Sequence, residues 1–220
     1  MNLVSAILGW LTDPAHWSGS GGIPVLVGLV LAVPLGWLAN RNPVARAVLI
    51  PSAGLLYTIP SLALFIVLPG ILGTQILDPT NVIVALTIYT VALLVRSIAD
   101  ALAAVPRMVV AAATAMGFRP GRRFVEVELP LSVPVLIAGL RVATVSNISL
   151  VSVGALIGVG GLGELFTDGY QRNFPTEILT GVVLTVLLAL AADAALLGVG
   201  RLVTPWERPS QKPRAARAGR

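Results

Sequence analysis

Five long apolar blocks, separated by short stretches marked by glycine, proline or charge, organise the chain. They run over about 23–40, 48–72, 82–105, 131–159 and 178–203. A helix needs about 20 mainly apolar residues to cross the hydrocarbon core. Each block is long enough, and the pattern predicts five transmembrane helices. A leading apolar stretch, residues 3–11, is too short to cross. It has neither a basic start nor a small-residue cleavage site, so a cleaved signal peptide is not expected. Residues 1–20 are instead expected outside, along the interface or against the bundle. Residues 204–220, basic and rich in proline and alanine, are expected to form a disordered cytoplasmic tail able to touch anionic lipid.

Composition supports this pattern. Of 220 residues, 56% are hydrophobic and only 11% charged, and the mean hydropathy is +0.90. A soluble chain carries about 25% charge, so this one lacks the polar surface to face water on all sides. With no cysteine, a disulfide framework, a thiol nucleophile and a thiolate metal site are excluded. The one histidine, His16, excludes a multi-histidine metal centre. No cofactor is expected. The net charge of +5 would suggest nucleic acid in a soluble protein, but here its distribution reads as topology and no nucleic-acid partner is expected.

Cytoplasmic loops accumulate Lys and Arg. Arg41 and Arg46 fall in the first connection, and Arg107, Arg119, Arg122 and Arg123 in the third. Arg201, Arg208, Lys212, Arg214, Arg217 and Arg220 fall at the C-terminal end. The intervening loops and the N-terminal segment hold only Arg172, beside Asp13, Asp78, Glu164, Asp168 and Glu177. The sorting predicts an outside N-terminus and a cytoplasmic C-terminus in a multi-pass plasma-membrane protein. It places Trp10, Trp17, Tyr170 and Phe174 at the outer boundary and Trp37 and Trp206 at the inner one, as an aromatic belt would.

The spans contain breaks and charges. Pro34 lies in the first, and Pro51, Pro60 and Pro69 recur through the second. Proline removes a backbone donor and bends a helix, which membranes tolerate where neighbours satisfy the freed carbonyls. Either a pliable element lining a moving pathway or ordinary kinked packing fits these prolines. Arg96 and Asp100 lie in the third span, Arg141 in the fourth and Asp193 in the fifth; Arg96, Arg141 and Asp193 are about 14–16 Å from the cytoplasmic ends of their spans at 1.5 Å per residue. Similar depths make a buried cluster possible, and Arg96 and Asp100, four apart, can pair directly. Intramembrane charge hints at function by default. Thr144, Ser146, Asn147, Ser149 and Ser152 scatter around the fourth span, and such groups most often bond neighbouring helices. They do not mark a substrate path.

The connection over 106–130 is the most informative stretch. Its alanine run favours a helix, Gly117 suits a helix end, Pro120-Gly121 signals a turn, and Leu129-Pro130 opens the next span with proline in the first turn. The result is a short, small-sided surface helix flanked by arginines. It could sit in a partner's groove, or serve as a connector held at the lipid surface by Arg119, Arg122 and Arg123.

The pattern Ala112-Ala113-x-x-x-Gly117, followed by Val127-x-Leu129-Pro130, resembles the "EAA" loop of permease subunits in binding-protein-dependent ABC importers. Its flanks agree: Val95-Arg96-Ser97 before it, and Ala138-Gly139-Leu140-Arg141-Val142-Ala143 and Ile157-Gly158-Val159-Gly160-Gly161-Leu162-Gly163 after it. Together they resemble the branch importing glycine betaine, choline, carnitine and proline. The resemblance implies the type I importer permease fold over residues 21–203: all-α and integral to the membrane, with about five transmembrane helices and a cytoplasmic coupling helix. It implies separate ATPase subunits, an extracytoplasmic substrate-binding protein and a second permease, identical or homologous. ATP-driven closure would draw the coupling helices together and turn the cavity outward. Ala111, Ala112, Ala113, Gly117, Leu129 and Pro130 would serve this coupling, with Arg119 and Arg122 at the rim. Ala111 stands where the family carries its opening Glu. An importer driven by ATP needs no proton-relay carboxylate, which favours a structural role for Arg96, Asp100, Arg141 and Asp193.

Other readings are weaker. Gly158, Gly160 and Gly163 satisfy G-x-G-x-x-G, but no strand precedes them and no soluble βαβ unit surrounds them, so close packing or a sharp turn is expected. No P-loop lysine motif is present, so the chain is not its own ATPase and not an enzyme. A membrane-embedded enzyme would need clustered acids or histidines, and a secondary transporter a repeat pairing the two halves. The alternative within the class is an importer of another small solute, such as an amino acid. With 5% aromatic residues, a tight cage for quaternary ammonium is expected on the binding protein.

Overall fold

The computed structural model describes residues 22–207, and the expectations for residues 1–20 and for 208–220 lie outside them. Nine α-helices carry the described chain: α1 Ile23–Arg41, α2 Pro43–Thr58, α3 Ser61–Leu72, α4 Pro79–Ala103, α5 Arg107–Ala115, α6 Pro120–Arg123, α7 Leu129–Gly154, α8 Glu164–Gln171 and α9 Pro175–Val203. Their ends follow local chemistry. Asn42 ends α1 and caps α2, its Oδ1 accepting from the amides of Val44 at 2.9 Å and Ala45 at 3.4 Å, and Pro43 takes the first helical position. Asp78 caps α4 by accepting from the Thr80 amide at 2.9 Å. Bonding to Thr80 holds its carboxyl below the usual range.

Helix α4 is the central post. Along its length Val82, Ala85, Leu86, Leu94, Val95, Ile98, Ala99 and Leu102 are buried. Ala32, Leu94, Val95, Ile98, Leu102 and Ala143 form one core where α1, α4 and α7 meet. Phe65, Leu68, Val82, Ala85, Leu86 and Val159 form another toward the Pro79 end. Two glycines of α1 set its distance from α4. A Cβ at Gly28 would collide with the Thr90 side chain, and one at Gly36 would lie 2.5 Å from Ile98 Cγ2. This is the small-residue packing by which membrane helices bring their backbones together. Helix α9 is peripheral, packed on α7 and α8, with Leu179, Leu187, Leu190 and Leu202 exposed. An exposed aliphatic surface on a helix of this length is what lipid requires.

The second expected span is not one helix. Its two halves, Pro43–Thr58 and Ser61–Leu72, meet at a bend of 100°. Pro60 is the cause. It has no amide to donate to Leu56, and it forces the residue before it out of the α region: Ile59 is extended at φ −64°, ψ 129°. Pro51 and Pro69 lie inside helices.

The fourth span also differs. No turn forms at Pro120-Gly121; a helical path begins at Pro120 and continues to Ile157, 38 residues in all. Within it, Phe124–Glu128 is a π segment. Pro130 explains it: with no proline amide to satisfy the Glu126 carbonyl, the ladder widens and the Leu129 amide bonds back to Phe124. Past α9, Thr204 is buried and bonds the Gly200 carbonyl at 2.7 Å, and a 3₁₀ turn spans Pro205–Glu207. Helical order thus reaches into the segment expected as tail.

Candidate functional site

The stretch after α4 builds a short helix under the bundle and fixes it at both ends. Ala104 and Val105 close α4, and Pro106, extended, starts α5. At the other end Gly117 has φ +84°. The Phe118 amide bonds the Ala113 carbonyl at 3.1 Å and the Gly117 amide bonds Thr114 at 3.0 Å. This crossed pair is the Schellman ending that favours glycine. Space around Gly117 is open, so its backbone conformation, not crowding, calls for glycine there.

Arg123 then braces the helix against the membrane span. Its Nη1 donates to Thr114 Oγ1 at 2.7 Å and its Nε to Glu128 Oε1 at 2.6 Å, and Glu128 is buried. Residues five apart do not share a face of an α-helix, but a π segment bonds i to i+5 and brings them together. Pro130 therefore creates the geometry that lets Arg123 reach Glu128. Arg122 pairs with Glu126 at 2.8 Å on the exposed side and lies 5.1 Å from the Phe118 ring centre.

Not all the expected residues share one surface. Ala111 and Ala112 are exposed with Ala115, beside Met108 at 85% and Met116 at 71% exposure. Ala113 is 2% exposed and faces the protein. Leu129 and Pro130 are half-buried in the span above, where Pro130 acts through the π segment. Arg119 is exposed. Met108, Met116 and Glu128 escaped the sequence reading, and Arg123 entered it only as a lipid-surface anchor. The methionines lie three and four residues from Ala111 and Ala112 and could have been found by helical spacing. The Arg123–Glu128 spacing carries no signal unless the π segment is foreseen.

The intramembrane charges form two separate sets rather than one cluster. Arg141 clamps Asp193 with both Nε and Nη2, at 2.6 and 2.7 Å, joining α7 to α9. Asp100 accepts from Arg46 at 2.8 Å, joining α2 to α4, with Arg96 more distant at 4.0 Å. Between them, Asn147 on α7 donates to Thr90 on α4 at 2.6 Å, and Thr90 donates to the Leu86 carbonyl. The two flanks of the loop also meet: a Cβ at Gly139 would overlap Ser97 Oγ. After α7 the glycine run makes a sharp turn, with Gly158 at φ +78° and Gly161 at φ +131°. A Cβ at Gly163 would strike the Ser152 carbonyl.

Comparison with known proteins identifies this arrangement. The family model of the binding-protein-dependent transport system inner membrane component matches residues 25–208. The chain belongs to that family. The ergothioneine transport permease/ergothioneine binding protein of Helicobacter pylori is 36% identical over 165 residues, 75% of this chain and 29% of that protein. The choline transport system permease protein of Bacillus subtilis is 31% identical over 83% of each chain. The osmoprotectant import permease protein of Salmonella typhimurium is 32% identical over 83% of this chain and 86% of its own. Among solved structures, the inward-facing MetNI methionine ABC transporter superposes with a TM-score of 0.77 at 25% identity, covering 93% of this chain and all of that one. The protein is a type I ABC importer permease, all-helical over the described residues and multi-pass in the plasma membrane. Membership in this family implies an ATPase and a substrate-binding protein as partners.

Proposed function

We propose that this permease carries a small quaternary-ammonium osmoprotectant inward: glycine betaine, choline or carnitine, with proline in the same range. Its relatives in three genera support this, being permeases for choline, for carnitine and for osmoprotectants. The more identical ergothioneine relative handles a solute that also bears a trimethylated ammonium.

In this reading α5 is the coupling helix. The observation that carries it is a fixed helix with an exposed face of Met108, Ala111, Ala112 and Met116, braced by Arg123 to the base of α7. Small residues with flexible thioethers at the edges suit the groove of another protein. Arg119 and Arg122 stand at the rim. ATP binding and hydrolysis belong to that separate subunit, and closure of the ATPase pair pushes on α5. The C-terminus is cytoplasmic, the N-terminus outside, and a second permease completes the pathway within the lipid. Residues 1–20, 21–203 and 204–220 are then outer segment, transmembrane domain and basic tail.

The chain has no cysteine, which gives a clean test. Met116→Cys in membrane vesicles should react with an impermeant thiol reagent only from the cytoplasmic side, and the ATPase should protect it. Purified with its ATPase and binding protein in proteoliposomes, the permease should take up labelled glycine betaine, choline or carnitine in an ATP-dependent way. Uptake of methionine or another amino acid instead would favour the alternative substrate. Labelling from outside would overturn the topology.

A further inference from the structure

The break between α2 and α3 exposes non-helical backbone deep in the membrane. Its depth is set by a hydrogen bond: Tyr89 Oη donates to the Ile59 carbonyl at 2.5 Å. Tyr89 lies ten residues along α4 from Pro79, about 15 Å in at 1.5 Å per residue. That is near the middle of a hydrocarbon core about 30 Å thick. Thr58, Ile59 and Pro60 are nonetheless exposed. Irregular backbone at this depth occurs only where protein covers it or a water-filled cavity adjoins it.

The chemistry of the break selects the ligand. Helix α2 ends and α3 begins there, so a negative and a positive dipole end meet at the gap and offset each other, leaving the individual backbone and ring groups to set its preference. The Leu55 carbonyl accepts from Thr58 Oγ1 and the Leu56 carbonyl from the Ile59 amide. The carbonyls of Tyr57 and Thr58 find no protein donor among the described residues. Beside them Tyr57 is 41% exposed. It is held edge-to-face against the buried Tyr89, with ring centres 5.7 Å apart and planes at 89°. Tyr89 thus anchors both the unwound backbone and the ring. Two unpaired carbonyls and an aromatic ring form a cation-accepting patch. The Leu55–Pro60 segment itself carries no carboxylate to grip a metal or a primary amine strongly. A bulky methylated ammonium is attracted to a ring face and can rest its polarised methyl groups on carbonyl oxygens.

We propose that the Tyr57–Pro60 break is a transit site for the quaternary ammonium head of the solute, with the Tyr57 ring and the Tyr57 and Thr58 carbonyls as its contacts. This deepens the proposed function and rests on it. The site would replace part of the solute's hydration halfway across, weakly enough to let it leave. The test is ATP-driven uptake of labelled glycine betaine and choline by the complete transporter in proteoliposomes. Tyr57→Phe keeps the ring and should retain uptake within about threefold. Phenylalanine carrying one, two and three fluorines at position 57 keeps the shape while draining the negative ring face. Maximal uptake should fall with each fluorine, to about 10- to 30-fold below Tyr57→Phe, the factor a desolvated cation–ring contact is worth. The affinity of the binding protein should not change. A purely structural ring would give a flat series, and so would a ring covered by the second permease. Flat uptake in a transporter that imports these solutes overturns the transit site alone. A wild-type transporter that imports neither overturns the substrate reading and this site with it.

Discussion

Replacing Glu128 by Gln should loosen α5 without unfolding the bundle. Arg123 makes two bonds, at 2.6 Å to Glu128 and 2.7 Å to Thr114, with side-chain exposures of 22% for Arg123 and 8% for Glu128. Removing one partner of a fully buried ion pair costs about 3–5 kcal/mol. Here the guanidinium keeps some access to water, so the lower range of a charged hydrogen bond, about 1.5–3 kcal/mol, is the better guide. At 1.4 kcal/mol per tenfold, the detached state of α5 should become about 10- to 150-fold more populated. Hydrogen exchange in nanodiscs reads this directly. The amides of Met116, Gly117 and Phe118, bonded to Ala112, Thr114 and Ala113, should lose protection by that factor while amides in the middle of α4 keep theirs. Thr114→Val, which removes only the hydroxyl bond, should produce a smaller loss. The two changes together should cost less than their sum, because both act through Arg123. Unchanged protection in Glu128→Gln would show that backbone capping alone holds α5, and the bracing argument would be wrong.

Three further outcomes are expected. A bulky residue at Gly117, at φ +84°, should cost about 1–2 kcal/mol for the left-handed backbone and leave ATP hydrolysis running without uptake; tight coupling in Gly117→Val would count against α5 as the docking element. Neutralising Arg141 or Asp193 alone should lower membrane yield and thermal stability more than neutralising both, because one charge is then left unpaired in the membrane; additive losses would deny the clamp. Gly28→Ala should cost about 1–3 kcal/mol, since the new methyl meets Thr90, and Thr90→Ser should recover part of it in a thermal-shift assay.

The apolar helices, the short helix α5 and its glycine ending were legible in the sequence because each rests on a local rule, although the second apolar block folds as two helices rather than one. Runs of about 20 apolar residues, an alanine-rich stretch and a glycine three residues past Thr114 need no tertiary knowledge. What escaped was decided by context. Pro51, Pro60 and Pro69 look alike in sequence, yet only Pro60 breaks the helix, where Tyr89 is placed to satisfy the freed Ile59 carbonyl. Arg46 reads as a loop charge, but α2 begins at Pro43 and packs on α4, which brings Arg46 to Asp100 at 2.8 Å, against 4.0 Å for Arg96 on Asp100's own helix. Ala113 and Ala112 are interchangeable as letters; the brace through Thr114 turns the first inward. The polar residues of the fourth span scatter as expected, and only Asn147 among them bonds a side chain of another helix.

Pro130 has a mechanical consequence. By widening the backbone rather than snapping it, the residue leaves a single strut from Pro120 to Ile157, 38 residues or about 57 Å long at 1.5 Å per residue. The foot of that strut is bolted to the knob beneath it. A tilt of about 5° at the foot would sweep the far tip by about 5 Å, so a small rotation at one end of this helix becomes a displacement of several ångströms at the other.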